Sequence, residues 1–251
     1  MREVRLVTTY KRSAFYNMAL DEAVLSECYS GRSPPTLRFY TWKPAAVSIG
    51  FFQSIREEID LKRAEEFGVH VVRRLTGGGA VFHDREITYS IVIPERWAPG
   101  TIIESYEKIC RALVLGLKFL GVNAQFSPIN DIVVSGRKIS GNAQTRRGRF
   151  ILQHGTLLLD LDAERMFSLL KVPSEKIREK MIRSANQRVT CLRREANKNF
   201  TISQVQNALE RGFAQALNIK LNPGKITMRE LKLKRALELK KYRTHAWNFL
   251  R

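Results

Sequence analysis

The residues best suited to chemistry fall in three stretches. The first, RRLTGGGAVFHD (Arg73 to Asp84), sets three consecutive glycines beside two arginines and closes on a histidine and an aspartate. Glycine costs conformational entropy on folding. A run of three makes sense where backbone must approach a ligand with no Cβ atoms between. Exposed N–H groups of such a loop can cradle a phosphate or carboxylate. An adjacent arginine can grip the same group with two parallel hydrogen bonds. The run fits neither GxxxxGK[ST] nor a GxGxxG turn between strand and helix, so those nucleotide templates do not apply. A glycine-rich bulge or tight strand crossing is the competing reading. The second stretch, NDIVVSGRKISGNAQ (Asn130 to Gln144), holds one lysine, Lys138, near the small-residue turn Ser140-Gly141. The third, QHGTLLLD, contains His154 and Thr156. Alone, Lys138 reads as a surface lysine and His154 as a structural histidine. Together, three polar-tipped turns on successive strands can converge at one end of a sheet.

Those turns need strands to carry them. EVRLVTTY alternates and is rich in β-branched residues, as a strand does. Ser13 is placed to cap a helix from Ala14 to about Tyr29, with Met18, Leu20, Ala23, Val24 and Leu25 as its buried stripe. TLRFYTW and AVSIGFF read as strands joined at Lys43-Pro44, and REEIDLKRAEEFG as one short helix stopped by Gly68. VHVVRR, GAVFHD and ITYSIVIP are strands around the glycine run. Ile102 to Leu120 is the clearest helix, with Ile103, Tyr106, Ile109, Cys110, Leu113, Leu117 and Leu120 toward one face. Three further strands follow, with SGRK as a hairpin turn. After Asp160 the pattern is helical: Ala163–Leu170, Ser174–Ser184, Ser203–Ala216, and the basic TMRELKLKRALELKKYR. Short turns between strands and a helical tail imply an α+β fold with mixed or antiparallel sheets packed by helices.

The 251 residues can bury a sizeable core, and the formal net charge of +19 suggests an acidic partner without fixing its kind. Cys28, Cys110 and Cys191 show no CxxC spacing, which argues against a disulfide framework or zinc site and for a reducing cytoplasm. No run is long enough to span a membrane, and no signal-like segment opens the chain.

Taken together, RRLTGGGAVFHD, NDIVVSGRKISGNAQ and QHGTLLLD resemble the signature of lipoate–protein ligases, within the biotin- and lipoate-ligase superfamily. The likeness runs from about Met1 to Leu221. More weakly, the final KKYRTHAWNF is similar to the end of the short archaeal-type catalytic subunit of a bipartite ligase. The resemblance implies a catalytic domain over residues 1–224, with 225–251 a basic helical segment of the same domain. It also implies an ATP-dependent reaction: lipoate and ATP give lipoyl-AMP and pyrophosphate. The lipoyl group then passes to a lysine of a lipoyl domain of a 2-oxoacid dehydrogenase or of glycine-cleavage H protein. Magnesium would accompany ATP, and no prosthetic group is expected. On this likeness Arg74 lies near the acyl and phosphate groups, and Thr76, Gly77, Gly78 and Gly79 form the loop against the adenylate. Lys138 is the catalytic lysine bridging carboxylate and phosphate oxygens. Asn130 and Asp131 lie near phosphate and magnesium, with Asp131 the metal ligand. Ser140, Gly141 and Ala143 shape the nucleotide wall, while His83, His154 and Thr156 serve packing or hydrogen bonding. Trp42, Val47, Ile49 and Phe51 are candidates for an apolar slot taking the acyl chain. The chain ends soon after the catalytic region, so a separate accessory subunit is expected to supply the additional domain of full-length ligases.

The alternative within the superfamily is an octanoyl or lipoyl transferase that carries the acyl group on a cysteine. One transferase type places that cysteine shortly before the strand matching DIVV, where this chain reads AQFSPIN; Cys191 is the remaining candidate. A biotin ligase would carry a different glycine motif. A nucleic-acid-binding protein would account for the charge, yet no RNA-binding motif or helix-turn-helix pattern accompanies it.

Overall fold

The computed structural model describes residues 1–172 and 175–251. Along the chain the strands are β1 (Arg2–Arg12), β2 (Thr36–Trp42), β3 (Ala46–Ile49), β4 (His70–Arg73), β5 (Val81–His83), β6 (Glu86–Pro94), β7 (Gln125–Ser127), β8 (Asp131–Val134), β9 (Arg137–Arg147), β10 (Phe150–Leu158) and β11 (Ile219–Pro223). The helices are α1 (Ala14–Tyr29), α2 (Ile55–Glu58), α3 (Leu61–Glu66), α4 (Ile102–Phe119), α5 (Ala163–Ser168), α6 (Glu175–Arg188), α7 (Leu192–Ala196), α8 (Ile202–Leu217), α9 (Met228–Leu237) and α10 (His245–Asn248), with a π turn over Glu238–Tyr242.

An eight-stranded sheet runs β11-β1-β2-β6-β10-β9-β8-β7, and a three-stranded sheet runs β4-β3-β5. β1 is parallel to both β11 and β2, and the other pairings of the large sheet are antiparallel. The fold is therefore mixed α+β, as the sequence implies. Both faces of the large sheet are covered, so its central strands are buried along their length. The two-residue period still sorts their side chains. Leu37, Phe39, Ile87, Tyr89, Ile91 and Ile93 face α4 and α8, while Val92 and Leu152 pack with Leu20, Val24 and Leu25 of α1.

Ser13 accepts from Tyr16 N at the start of α1, and Thr101 forms a capping box with Glu104 at the start of α4. Several local expectations need adjustment. REEIDLKRAEEFG is two helices, because Ile59 adopts extended backbone and Asp60 caps the second. Ile103 points to solvent, while Tyr106, Ile109, Cys110, Leu113 and Leu117 are buried. Ser174 lies outside the described residues. The basic tail docks on β1 and α1 through buried polar anchors. Glu230 accepts from Arg5 Nη1 at 2.9 Å, and Glu22 accepts from Lys241 at 2.8 Å and Tyr242 at 2.7 Å. Leu239 and Ala236 of the tail are exposed.

Candidate active site

The glycine run emerges from β4 and leads into β5, which brackets β3 on the side opposite β4. Arg74 is buried beneath it. Its Nη2 donates to Gly77 O at 2.7 Å and Gly79 O at 2.8 Å, and its Nη1 to Ser48 O at 3.0 Å. The guanidinium is thus engaged with the loop itself. Burial lowers Arg74 to about 10, which leaves it charged at neutral pH. Gly78 has φ +93°, a conformation that favours glycine. The N–H groups of Gly78 and Gly79 have no protein acceptor among the described residues.

Arg74 also orders two buried relays. Its Nε donates to Thr76 Oγ1 at 3.1 Å, which lies 2.8 Å from His154 Nε2. The Asp21 carboxylate can only accept, so a neutral His154 carries its proton on Nδ1, gives it to Asp21 Oδ2 at 3.2 Å, and takes the Thr76 proton at Nε2. Burial lowers His154, which favours this neutral ring. Burial alone would raise Asp21, but the charge of Arg38 at 2.7 Å and hydrogen bonds from His154 and Ser90 outweigh it. They hold the carboxyl well below its usual range. In the second relay, Ser48 Oγ accepts from Arg74 Nη1 at 3.3 Å and pairs with His83 Nε2 at 2.8 Å. His83 Nδ1 meets Glu86 Oε1 at 2.6 Å, and the His83 ring stacks on Trp42 with centroids 3.9 Å apart.

Of these groups Arg74, His154, Ser48, His83 and Trp42 line a cleft of about 150 Å³. Along the sheet order, β2 and β6 contribute Tyr40, Trp42 and Thr88 to the lining, and β10 and β9 contribute Thr156, Lys138, Gly141, Asn142 and Ala143. Ser48 and His83 join the first group, where His83 stacks on Trp42. A second cavity of about 230 Å³ continues past Lys138, Gly141 and Thr156, with Ser140, Phe82, Leu158, Leu161 and Met166 in its wall. Lys138 therefore stands where the two spaces meet. Its Nζ lies 2.7 Å from Asp131 Oδ1, and its side chain is 43 % exposed. Gly141 makes room for it: a Cβ there would sit 2.8 Å from Lys138 Cε. A divalent ion would find one carboxylate here, Asp131, already paired with Lys138. Among the described residues no cluster of three or more His, Cys, Asp or Glu side chains is placed to hold a metal.

The structure thus brings Arg74, Gly78, Gly79, His83, Asn130, Lys138, Gly141, Ala143, His154 and Thr156 to one cleft. Thr76 and Gly77 support its loop, Ser140 lines the adjoining cavity, and Asp131 restrains Lys138. The proposed acyl slot needs correction. Trp42 lines the cleft, but Val47 and Ile49 point away into the cluster under α2 and α3, and Phe51 packs on Trp247. Alternation along β3 turns Ser48 to the cleft instead. Sequence reasoning missed Asp21, Ser48 and Glu86. The signals were a carboxylate inside an apolar helix and a lone serine between aliphatic residues. Cys28, Cys110 and Cys191 are all buried, and none lines the cleft. Burial pushes the Cys28 and Cys110 thiols up to about 12.

Residues 13–214 match the family model for the lipoyl protein ligase A/B catalytic domain. The chain is 40% identical to an octanoyltransferase LipM of Kyrpidia tusciae, over 99% of both chains. It is 36% identical to an octanoyltransferase LipM of Bacillus subtilis, over 98% of both. Among solved structures it is similar to the bi-partite lipoate protein ligase of Thermoplasma acidophilum, described together with its E2 lipoyl domain. That match has a TM-score of 0.90 and 34% identity, and covers 99% of this chain and 97% of the other. The expectation of an ATP-dependent lipoate–protein ligase is overturned by the first two: relatives matched from end to end are named transferases. The ligase motifs misled because both activities use one scaffold, so the glycine loop and the lysine strand mark the scaffold and not the energy source. No described helix is long and apolar enough to cross a membrane.

Proposed function

The chain belongs to the lipoyl protein ligase A/B catalytic-domain family, and on that premise we propose that it is an octanoyltransferase that moves the acyl group from a thioester donor to a lysine of a lipoyl domain. The observation that carries this reading is the end-to-end likeness to octanoyltransferases. The acceptor class draws support from the Thermoplasma ligase, whose structure is described with its E2 lipoyl domain.

With no cysteine in the cleft, the acyl group passes directly. The octanoyl chain lies toward Met18, Tyr40 and Trp42, where each methylene removed from water contributes about 0.8 kcal/mol. Its thioester carbonyl reaches Lys138, where the two cavities join. The acceptor amine attacks that carbon. One C–N bond forms, one C–S bond breaks, and the proton lost by the amine ends on the departing sulfur. Lys138 supplies positive charge where the carbonyl oxygen becomes negative, and the free N–H groups of the glycine loop add donors near it. Ser48, hydrogen-bonded to His83, faces the acyl tail and not the reacting carbon.

The test is mass spectrometry of a lipoyl domain after incubation with the chain and an octanoyl thioester donor, without ATP. An octanoyl mass increment on one lysine is expected. Product formed only from free octanoate and ATP would overturn the reading. A variant with Cys28, Cys110 and Cys191 replaced by Ser or Ala is expected to retain transfer if it folds. A thioester adduct on Cys191 in the parent, lost with activity in Cys191→Ser, would restore the acyl-cysteine route.

A further inference from the structure

Arg73 precedes the arginine that holds the glycine loop, and it is completely buried. Its guanidinium is caged by main-chain carbonyls from two distant parts of the chain. Nη1 donates to Phe51 O at 2.8 Å and Gln53 O at 2.7 Å, and more weakly to Gly50 O at 3.2 Å. Nε donates to Trp247 O at 3.1 Å, and Nη2 to Asn248 O at 2.9 Å. β4 is an edge strand, so the backbone of Arg73 lacks a strand neighbour on one side. The C-terminal turn takes that place with side chains. Asn248 Oδ1 accepts from Arg73 N at 2.8 Å, and Trp247 Nε1 donates to Arg73 O at 3.0 Å. Asn248 is itself anchored by donating to Tyr242 O at 2.8 Å and Thr244 O at 3.0 Å.

The other side of the cage leads to the cleft. A Cβ on Gly50 would overlap Gly78 O, so these two backbones lie in direct contact. Phe51 N donates to Thr76 O at 2.9 Å, which ties the same loop to the glycine run a second time. The path from the last helix to the substrate loop is therefore continuous: α10, Arg73, Gly50–Gln53, Gly78. The geometry points to Arg73 as a positioning residue, and to Thr244–Phe249 as a clasp that sets the height of the glycine loop in the acyl-transfer cleft. This rests on reading that cleft as the site of transfer. A lysine at 73 would keep the charge, but a single ammonium cannot reach carbonyls on both sides.

Full-length Arg73→Lys and Asn248→Leu variants test the idea by two routes. Amide hydrogen exchange is followed at Phe51, Gln53 and Arg74, whose N–H groups donate to Thr76 O, Gly50 O and Ile49 O, with kcat and KM for an octanoyl thioester donor and the melting temperature measured in parallel. Both variants are expected to exchange faster at those amides than at the strands of the large sheet. They should also lose ~10-fold or more in kcat/KM, because a displacement of about 1 Å can cost ~10²-fold. Parent-like exchange at these amides in both variants, with only a lower melting temperature, would reduce the clasp to a stability element. The exchange readout needs no turnover, so it stands even if the parent transfers no octanoyl group.

Discussion

Lys138 lies along the bare face of Gly141, and Asp131 holds its ammonium at the junction of two cavities. Removing one preorganised charge of this kind costs a rate factor of ~10²–10³. Lys138→Ala is expected to show that loss in single-turnover transfer with an unchanged melting temperature. Lys138→Arg is expected to recover little, because the wider guanidinium does not replace a point charge on a slim stem. Gly141→Ala separates position from charge. The added methyl would press on the far end of a flexible side chain and not on backbone, so the fold tolerates it while the ammonium is displaced. Slower transfer with normal stability is the expected outcome, and transfer at the parent rate would show that the position of Lys138 Nζ is not critical.

Asp21 makes α1 inseparable from the sheet, because its carboxylate accepts from Arg38 and Tyr40 of β2, Ser90 of β6 and His154 of β10. Asp21→Ala would leave Arg38 buried without its counter-charge, a change that costs about 3–5 kcal/mol, readable as a lower urea midpoint. The same cluster fixes an acid response. Asp21 titrates below its unfolded value of ~3.9, so the unfolded chain takes up that proton first; its stabilisation is whole above that pH and lost as pH falls through the window below it. His154 is also lowered, by burial, so stability begins to fall already as pH drops below ~6.5. Urea midpoints measured from pH 8 to 4 are expected to decline below about 6.5, and His154→Gln to flatten that first decline. None of this cluster was legible beforehand except His154. Periodicity finds strands and helices because burial repeats along the chain, and it located β1, α1, β6, α4 and α8 closely. It cannot say that Asp21 meets a histidine more than a hundred residues away. The glycine loop, Lys138 and Thr156 were legible because backbone approach and a lone charge leave local marks. Ser48 left only its alternation with Val47 and Ile49, and the ion pairs that seat the tail leave no periodic mark.

The whole molecule carries a net charge of +19, and part of that excess is displayed on the docked tail. Lys232, Arg235 and Lys240 are exposed, whereas Lys234 is committed to Glu238 at 3.1 Å and to the ring of Tyr16. Charge reversal at Lys232, Arg235 and Lys240 is therefore expected to slow transfer to an acidic lipoyl domain without unfolding the tail. The difference from the parent is expected to shrink with salt, because the Debye length falls from about 10 Å at 0.1 M to about 3 Å at 1 M. Equal rates at low salt would leave these residues without a role in recruitment.

The pairing of β1 with β11 joins Arg2 to Ile219 and Leu6 to Pro223, and Arg5 reaches on to Glu230. More than two hundred residues separate these partners, so a ribosome delivers the second well after the first. At roughly 5–20 residues per second, β1 waits on the order of ten to forty seconds for its neighbour. During that interval β1 can pair with β2, but its opposite edge stays open, the kind of edge that recruits other chains. Nascent chains arrested before residue 219 thus expose an edge of β1 that the folded protein covers with β11.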